Sequence, residues 1–378
     1  MSRLMDFAAS VPEFRRTDKG NHRHLLSDAI ILMVLARATG SVGRAEIIEF
    51  GRHNLKRFRG LGMFRNGVPS EATLCRVEHG VDELGMAAEM ARFIGYFHDK
   101  FIGRSDEPEV ICIDGKAMCG TVLENGRNPD IVSAYSFNHA LTLDTEACGQ
   151  KSNEIKAVPL LLDRVDITGK TVTADAMSMQ KEIIDTIRRN GGDFLIELKA
   201  NQRSLRYGIE DKIMNATPAC IITEGPTLEH GRIETRTYRI FDGLDMIADK
   251  EKWGGNLTVV EFIAETTKKS TGTHTTQRRL YVTSHPVTHP RLGDMIRHHW
   301  SIESMHWQLD RNLLQDKIKR KKPQAARNLD TLQRVALSLF SIWRGCRKKL
   351  SDKKKGVAAL MRSISMSFTK LIHFLCQK

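Results

Sequence analysis

The first 95 residues carry apolar side chains at the three- and four-residue spacing of amphipathic helices. This spacing runs through residues 25–38 and 45–58, and the Val-Pro-Ser-Glu stretch at 68–71 is a typical helix start. We therefore predict an N-terminal helical domain over residues 1–95. Its segment 69–84 has the size of one half of a helix-turn-helix, although an ordinary packed helix pair explains it equally well.

The pattern changes to strands near residue 108. Three strands are predicted in succession, followed by a helix, a strand, a helix and a fifth strand. The ranges, in that order, are 110–114, 131–139, 141–147, 153–165, 171–175, 177–189 and 193–199. This is the element order of a ribonuclease-H-like core, so the predicted fold class is α/β.

About 80 residues separate the fifth strand from the next amphipathic helix. Residues 203–283 are rich in Thr and Gly and contain alternating stretches, and loops of this length without structure are rare in compact domains. We predict a β-rich insertion there, which leaves 108–202 and 284–322 as the catalytic core. Helical patterns continue from 291 to about 347 and, more weakly, over 356–376, so residues 323–378 are predicted to be basic C-terminal helices.

Three acidic residues stand where a ribonuclease-H-like core places its carboxylates. Asp114 ends the apolar run of the first strand, Asp175 ends the fourth strand, and Glu303 lies on the long amphipathic segment. A single aspartate at a strand end is usually a turn or a helix cap. The three together predict an oxygen-rich site for two Mg²⁺ or Mn²⁺ ions, which suits displacement at phosphorus.

The charge distribution predicts a polyanionic partner. The chain has a net charge of +13, and residues 311–378 contain 18 Lys or Arg against 3 acidic residues. The rest of the chain is nearly neutral, so the basic excess follows directly after Glu303. DNA is the favoured partner and a solvated basic tail is the alternative. The candidate phosphate contacts in this region are Lys317, Lys319, Arg320, Lys321 and Lys322.

Further polar residues crowd the ends of the same predicted elements. Lys116 follows Asp114 by two positions, whereas Lys199 and Asn201 follow the fifth strand. Two histidines lie four before and three after Glu303 on one helical face. Solvated or packed side chains are the structural alternative in each case. The candidate DNA contacts of this group are Lys116, Lys199, Asn201, His299 and His306.

The insertion adds three candidate DNA contacts. Arg232 and Arg236 lie on a predicted strand, and Trp253 is a candidate for stacking on a base. The alternative is that the arginines pair with nearby acids and that Trp253 belongs to the core. Trp300 and Trp307 are seven residues apart, a spacing that favours core packing over stacking.

Composition excludes several other classes of protein. The seven cysteines are scattered and never form a Cys-x-x-Cys pair, which indicates reduced thiols in a cytosolic protein and argues against a disulfide framework or a zinc ribbon. The most apolar N-terminal stretch, residues 29–38, is too short to span a bilayer. We therefore expect no signal peptide, no transmembrane helix and no membrane partner.

Several motifs together resemble the DDE transposases of the ISAs or H-repeat-associated family of bacterial insertion sequences. The resemblance covers nearly the whole chain. The motifs are Ile113-Asp114-Gly115-Lys116, Lys151-Ser152-Asn153-Glu154-Ile155, Asp175-Ala176-Met177, Lys199-Ala200-Asn201-Gln202, His230-Gly231-Arg232 and His299-Trp300-Ser301-Ile302-Glu303.

This resemblance implies a Mg²⁺-dependent enzyme that cleaves the ends of an insertion sequence and joins them to target DNA. Asp114, Asp175 and Glu303 would be its catalytic triad. The implied partners are the terminal inverted repeats and target DNA, with a homodimer on the bound ends, in the nucleoid of a bacterial cytoplasm. The chain departs from a signature of the wider group, since His299 and Asp310 stand where that group has Arg and Lys.

Two other functions remain open on sequence grounds. A transposase relative that binds DNA without chemistry would keep the basic segment, but the intact triad argues against it. A structure-selective nuclease on the same core would share every carboxylate. Inverted repeats flanking the gene, with a short target duplication outside them, would separate the transposase from both.

Overall fold

The computed structural model describes residues 2–18, 20, 22–102, 107–149, 154–229, 231–248, 250–367 and 369–370. The chain forms two compact units. Unit 1 comprises Met1–Asp106, Gly115–Ser152 and Glu303–Lys378, and unit 2 comprises Glu107–Asp114 and Asn153–Ile302.

The helices of the described residues are α1 Ser2–Ser10, α2 Leu26–Ala38, α3 Arg44–His53, α4 Leu55–Gly60, α5 Glu71–Gly80, α6 Glu83–Ile102, α7 Glu154–Leu162, α8 Lys181–Arg189, α9 Arg203–Ile213, α10 Gly243–Met246, α11 Leu292–Arg311, α12 Pro323–Gly345, α13 Leu350–Lys353 and α14 Val357–Ser365. The strands are β1 Val110–Ala117, β2 Asp130–Ser136, β3 Leu141–Ala147, β4 Thr171–Ala174, β5 Asp193–Leu198, β6 Cys220–Glu229, β7 Arg232–Asp242, β8 Thr258–Lys268 and β9 His274–Thr283. The strands and helices predicted between residues 108 and 199 are thus confirmed, with boundaries moved by a few residues.

Unit 2 is built on a mixed β-sheet with the strand order β1-β4-β5-β9-β8-β7-β6. The pairs β1/β4 and β4/β5 are parallel, and the pairs from β5/β9 to β6/β7 are antiparallel. The segment predicted as β-rich does form four strands. Because β9 pairs with β5, with Leu198 opposite Leu280, these strands extend the sheet rather than forming a separate one.

The parallel part of this sheet is buried, as its sequence requires. Every residue of Val110–Ile113 and Thr171–Ala174 is buried, because helices cover parallel strands on their faces. Helix α8 contributes Ile183, Ile184 and Ile187, all fully buried, from one helical face. Ile113 and Ala174, the residues that precede Asp114 and Asp175, therefore belong to the buried part of the sheet.

Unit 1 has α12 at its centre. This helix is buried along most of its length, and it packs against α2, α5 and α6 as well as against β3. The strand order in this unit is β3-β2-β1, where β1 contributes its last residues, Gly115–Ala117. Residues from the predicted N-terminal domain and from the predicted C-terminal helices therefore share one hydrophobic core.

A buried carboxylate joins the helices of unit 1. Glu78 of α5, whose side chain is fully buried, contacts Arg37 at 3.2 Å, Arg44 at 2.6 Å and Arg320 at 3.0 Å. Burial acts to raise the pKa of Glu78, but the three guanidinium groups outweigh burial and hold that pKa below its usual range. Burial lowers the pKa of Arg37 to about 10, so its guanidinium stays charged at neutral pH.

Some predicted features lie outside the described residues. They are the motif residues Lys151, Ser152, Asn153 and His230 and the last residues of the helix predicted over 356–376. The described part of that helix includes α14. Within the described part of the chain, no helix combines the length and the apolarity needed to cross a membrane.

Replacing Glu78 by Gln should lower the free energy of unfolding by about 3–5 kcal/mol, because it leaves buried guanidinium groups without their counter-charge. Urea denaturation at pH 7 measures this loss. The folded pKa of Glu78 is lowered, so its contribution is fully present above the ordinary pKa of 4.5 and is lost as pH falls through the folded value.

The matched control is Glu49→Gln, because Glu49 forms an exposed ion pair with Arg52 at 3.8 Å. We expect this variant to lie within about 1 kcal/mol of the wild type. Equal losses from the two substitutions would contradict a structural role for the buried cluster.

Candidate active site

Asp114 and Asp175 lie side by side at the carboxyl edge of the parallel strands of unit 2. In the β1/β4 pair Ile113 is opposite Ala174, so the next residues of the two strands, the two aspartates, are at the same level. Both side chains are half-buried. One Asp175 carboxylate oxygen accepts a hydrogen bond from the backbone N–H of Met177 at 3.1 Å, which caps a short 3₁₀ helix and orients the carboxylate.

The two carboxylates repel each other. Burial raises the pKa of Asp175 above its usual range, and the negative charge of Asp114 raises it further. The hydrogen bond from Met177 and the nearby Lys199 ammonium oppose this shift without cancelling it. A bound cation would relieve the same repulsion, so the pair has the electrostatics of a metal site.

The segment after β5 supports the loop that follows Asp175. Asn201 donates a side-chain hydrogen bond to the carbonyl of Ala176 at 2.6 Å, and Gln202 donates one to the carbonyl of Met179 at 2.8 Å. These contacts favour a positioning role for Asn201, which was a candidate DNA contact. Lys199 remains exposed, with its ammonium 3.0 Å from Glu197.

His299 lies beside the carboxylate pair, as its position in the sequence suggested. Its Nδ1 is 3.2 Å from the hydroxyl of Thr173 on β4. Burial lowers the pKa of His299, although Asp114 and Glu197 partly oppose this shift. The imidazole is therefore neutral at pH 7, which makes it a polar neighbour of Asp114 rather than a cation for phosphate.

Lys116 belongs to a separate cluster inside unit 1. Its ammonium lies 2.9 Å from Asp310 and 3.0 Å from Asp316, and the side chain is only 8% exposed. Burial disfavours the charged amine, but the two carboxylates outweigh it and raise the pKa of Lys116. This lysine is engaged by the protein, so its position favours a structural role over contact with DNA.

Sequence reasoning missed the partners of Lys116. Asp316 is one of only 3 acidic residues among the 18 basic ones of residues 311–378, and that isolation was the available signal. Asp310 was noted only as a departure from a family signature. The structure shows the role of both aspartates, because each forms an ion pair with the buried ammonium of Lys116.

From residue 303 onward, one face of helix α11 is exposed and the opposite face is buried. Glu303 and Trp307 are exposed, whereas Met305, His306 and Leu309 are buried. The prediction of a buried Trp307 is therefore wrong, since the indole is 57% exposed. His306 packs inside unit 1, which was the structural alternative for this candidate.

The basic run after α11 divides into two groups. Lys317, Lys319, Lys321 and Lys322 are exposed. Arg320 instead points to Glu78, and its backbone N–H donates to the carbonyl of Gly120 at 3.0 Å. A Cβ atom at Gly120 would lie 2.4 Å from the carbonyl oxygen of Ile318, so this close approach requires glycine. Arg320 thus anchors the segment that displays the lysines.

The candidates in the strands β6–β9 have mostly internal partners. Arg232 is exposed, but Arg236 forms an ion pair with Glu234 at 2.9 Å. Trp253 is 4% exposed, so its indole is part of the core and is not available to stack on a base. Trp300 is half-buried, with its ring centroid 6.2 Å from that of Phe262.

Paired carboxylates can hold metal ions of the kind used by enzymes that act on phosphate esters. Sequence comparison identifies the family. A model described as Transposase DDE domain matches residues 106–339, and the associated domain model, DDE_Tnp_1-associated, matches residues 5–94. The chain belongs to the DDE transposases, in the H-repeat-associated family.

Similar proteins are known from Escherichia coli. The chain is 32% identical to the "H repeat-associated putative transposase YhhI" of strain K12, over 97% of this chain and 96% of the relative. It is 31% identical to "Putative protein YbfL" of the same strain, with the same two coverages. It is 30% identical to "Putative transposase YncI" of O157:H7, over 94% of this chain and 91% of the relative.

The residues present suit the divalent metal ion that DDE transposases generally use. Asp114 and Asp175 offer hard carboxylate oxygens. Burial and the negative charge of Asp114 raise the pKa of Asp175, and a bound cation would offset both effects.

Asp175→Asn should raise the stability of the metal-free protein at pH 7, because it removes a buried charge that Asp114 repels. The raised folded pKa means that ionised Asp175 opposes folding at neutral pH and that this cost disappears as pH falls below the ordinary value of 3.8. Mg²⁺ at a hundredfold excess over its Kd should stabilise the wild type by about 2.7 kcal/mol and the variant much less. Thermal unfolding with and without Mg²⁺ measures both effects. An equal response of wild type and variant to Mg²⁺ would place the ion elsewhere.

Proposed function

We propose that this protein cleaves DNA at the ends of an insertion sequence by metal-dependent hydrolysis and joins the freed 3′ ends to target DNA by transesterification. The observation that carries the proposal is the position of Asp114 and Asp175, which directly follow the last paired residues of β1 and β4, in a chain that belongs to the DDE transposases.

The order of elements along the chain supports a ribonuclease-H-like catalytic core. Strands β1, β2 and β3 are followed by α7, β4, α8 and β5, which is the order predicted for such a core. We assign residues 108–202 and 284–322 to this core and residues 203–283 to an insertion in it.

We assign Asp114, Asp175 and Glu303 as the catalytic carboxylates that hold two Mg²⁺ or Mn²⁺ ions. Glu303 lies on the helix that carries His299, four residues later and hence on the same helical face. Bound ions of this kind would supply charge stabilisation at the phosphoryl group and a stronger oxygen nucleophile. Neutral His299 orients polar groups beside Asp114, and exposed Lys199 contacts a phosphate.

The remaining parts of the chain have proposed roles in DNA binding. Residues 1–95 recognise the terminal inverted repeats, and the exposed lysines after α11 hold the backbone of the DNA without sequence choice. Two copies of the chain act together, one on each end.

Asp114→Asn, Asp175→Asn and Glu303→Gln should each reduce strand cleavage by at least 100-fold, on the order of the cost of losing one preorganised group at a reaction centre. DNA affinity should change little, since no Lys or Arg is removed. Nicking of a duplex that carries the element's end, in Mg²⁺, measures the first effect and a mobility shift the second.

The matched control is Asp185→Asn, which removes the same charge from an exposed position on α8. It should cleave like the wild type. A substantially active Asp175→Asn enzyme would refute the assignment of the carboxylates.

Replacing Lys319, Lys321 and Lys322 by Ala should weaken the salt dependence of DNA binding. The slope of log K against log salt should become shallower by about 0.9 for each phosphate that is no longer neutralised by a lysine. The discrimination between end and random DNA should stay unchanged, because phosphate contacts carry no sequence information.

The charge-matched control for this experiment is Lys348, Lys349 and Lys354 replaced by Ala, three lysines that are also exposed. An equal decrease of the slope in the control would show an effect of net charge rather than of the segment after α11.

A further inference from the structure

Helix α11 presents one exposed stripe from Glu303 onward. Glu303, Trp307 and Arg311 follow one another at four-residue steps, so they lie on the same helical face, and all three are exposed. The opposite face is anchored in the core of unit 1 by Met305 and Leu309, which are 3% and 0% exposed. The stripe is therefore held by a rigid helix and not by a loop.

An indole that is 57% exposed is the unusual member of this stripe. Tryptophan is highly buried on average, and where it is exposed it is enriched at contact surfaces. Tyr96, another exposed aromatic residue of unit 1, is covered on one face by the guanidinium of Arg3 at 3.9 Å. Trp307 thus offers a large flat apolar surface on a helix that is otherwise well packed.

The neighbours of Trp307 specify the chemistry of its ligand. On one side, one helical turn away, lies Glu303, a proposed metal ligand; on the other lies the positive charge of Arg311. The exposed lysines 317, 319, 321 and 322 follow in the chain. With a metal ion held by Glu303, as proposed above, a ligand that satisfies this order has a phosphate at that ion, a flat ring over the indole and further phosphates at the cations beyond. An unpaired nucleotide of a DNA strand has these groups.

We propose that Trp307 is a stacking platform for an unpaired base of a DNA end that is held by Glu303 and the exposed lysines of unit 1. This inference rests on the proposed function and deepens it. A base inside a duplex has both faces covered by its neighbours, so the base on Trp307 must be terminal or flipped out of the helix. Trp307 is accordingly a binding residue that fixes the position of the strand, and Trp253, which is buried, is not.

The test compares two probes in EDTA, so that no strand is cut. One is a 20-base-pair duplex with a five-nucleotide oligo-dT 3′ tail whose first unpaired base is 2-aminopurine, and the other is the same duplex with blunt ends. Trp307→Ala should weaken binding of the tailed duplex by about 5- to 150-fold, and binding of the blunt duplex by less than about twofold. Quenching of 2-aminopurine fluorescence by the wild type should disappear in the variant.

Two further variants make the result specific. Trp307→Phe keeps an aromatic face and should retain most of the affinity and part of the quenching. Tyr207→Ala removes an aromatic side chain of similar exposure from α9 and should bind both probes like the wild type. The thermal midpoints of all variants should match that of the wild type, because Trp307 contributes little to the core.

Two binding results would overturn the inference: equal affinities of wild type and Trp307→Ala for the tailed probe, or equal weakening of binding to both probes. A third is that Trp307→Ala dissociates a dimer of the protein while it still binds the tail, which would assign Trp307 to a protein interface. Nicking in Mg²⁺ by the same preparations separates this inference from the proposed function. A wild type that nicks while Trp307→Ala binds normally would reject the stacking role alone. A wild type that binds the tail through Trp307 but never nicks would uphold stacking and reject the catalytic proposal.

Discussion

The parallel pairing of β1 with β4 is the constraint on which the rest of the candidate site depends. It places Ile113 opposite Ala174, and the next residue of each strand is an aspartate. Two like charges at the end of a buried sheet oppose folding, as the raised pKa of Asp175 indicates. The surrounding protein holds this arrangement with ordinary hydrogen bonds, such as the one from Asn201 to the loop after Asp175. A bound cation, as proposed for this site, would offset that cost.

Buried ion pairs decide which cations are available to a partner. Arg320 forms an ion pair with buried Glu78 and is therefore not available to DNA. Lys116 forms ion pairs with the carboxylates of Asp310 and Asp316 in the same way. Charge counted along the sequence therefore overstates the positive charge that DNA can meet. These ion pairs also stabilise the backbone from which the remaining lysines project.

Helix α11 shows how packing gives chemically similar residues different exposure. Trp300 and Trp307 are seven residues apart, yet one is half-buried and the other is exposed. The exposed indole shares its face with Glu303, and the buried face anchors the helix. A rigid element that carries a carboxylate and an aromatic platform can position a strand more closely than a loop can.

The sequence by itself determined the local features of this protein. The order of strands and helices, the positions of Asp114 and Asp175 after apolar strand residues and the family all follow from periodicity and motifs, which depend on residues near one another in the chain. The predicted end of the first strand at Asp114 is wrong, because β1 continues to Ala117. Tertiary structure alone decided that Trp253 is buried, that Trp307 is exposed and that Arg320 pairs with a glutamate 242 residues away in the chain. Burial and ion pairing depend on which distant segments meet, and the periodicity of a single helix or strand carries no information about that.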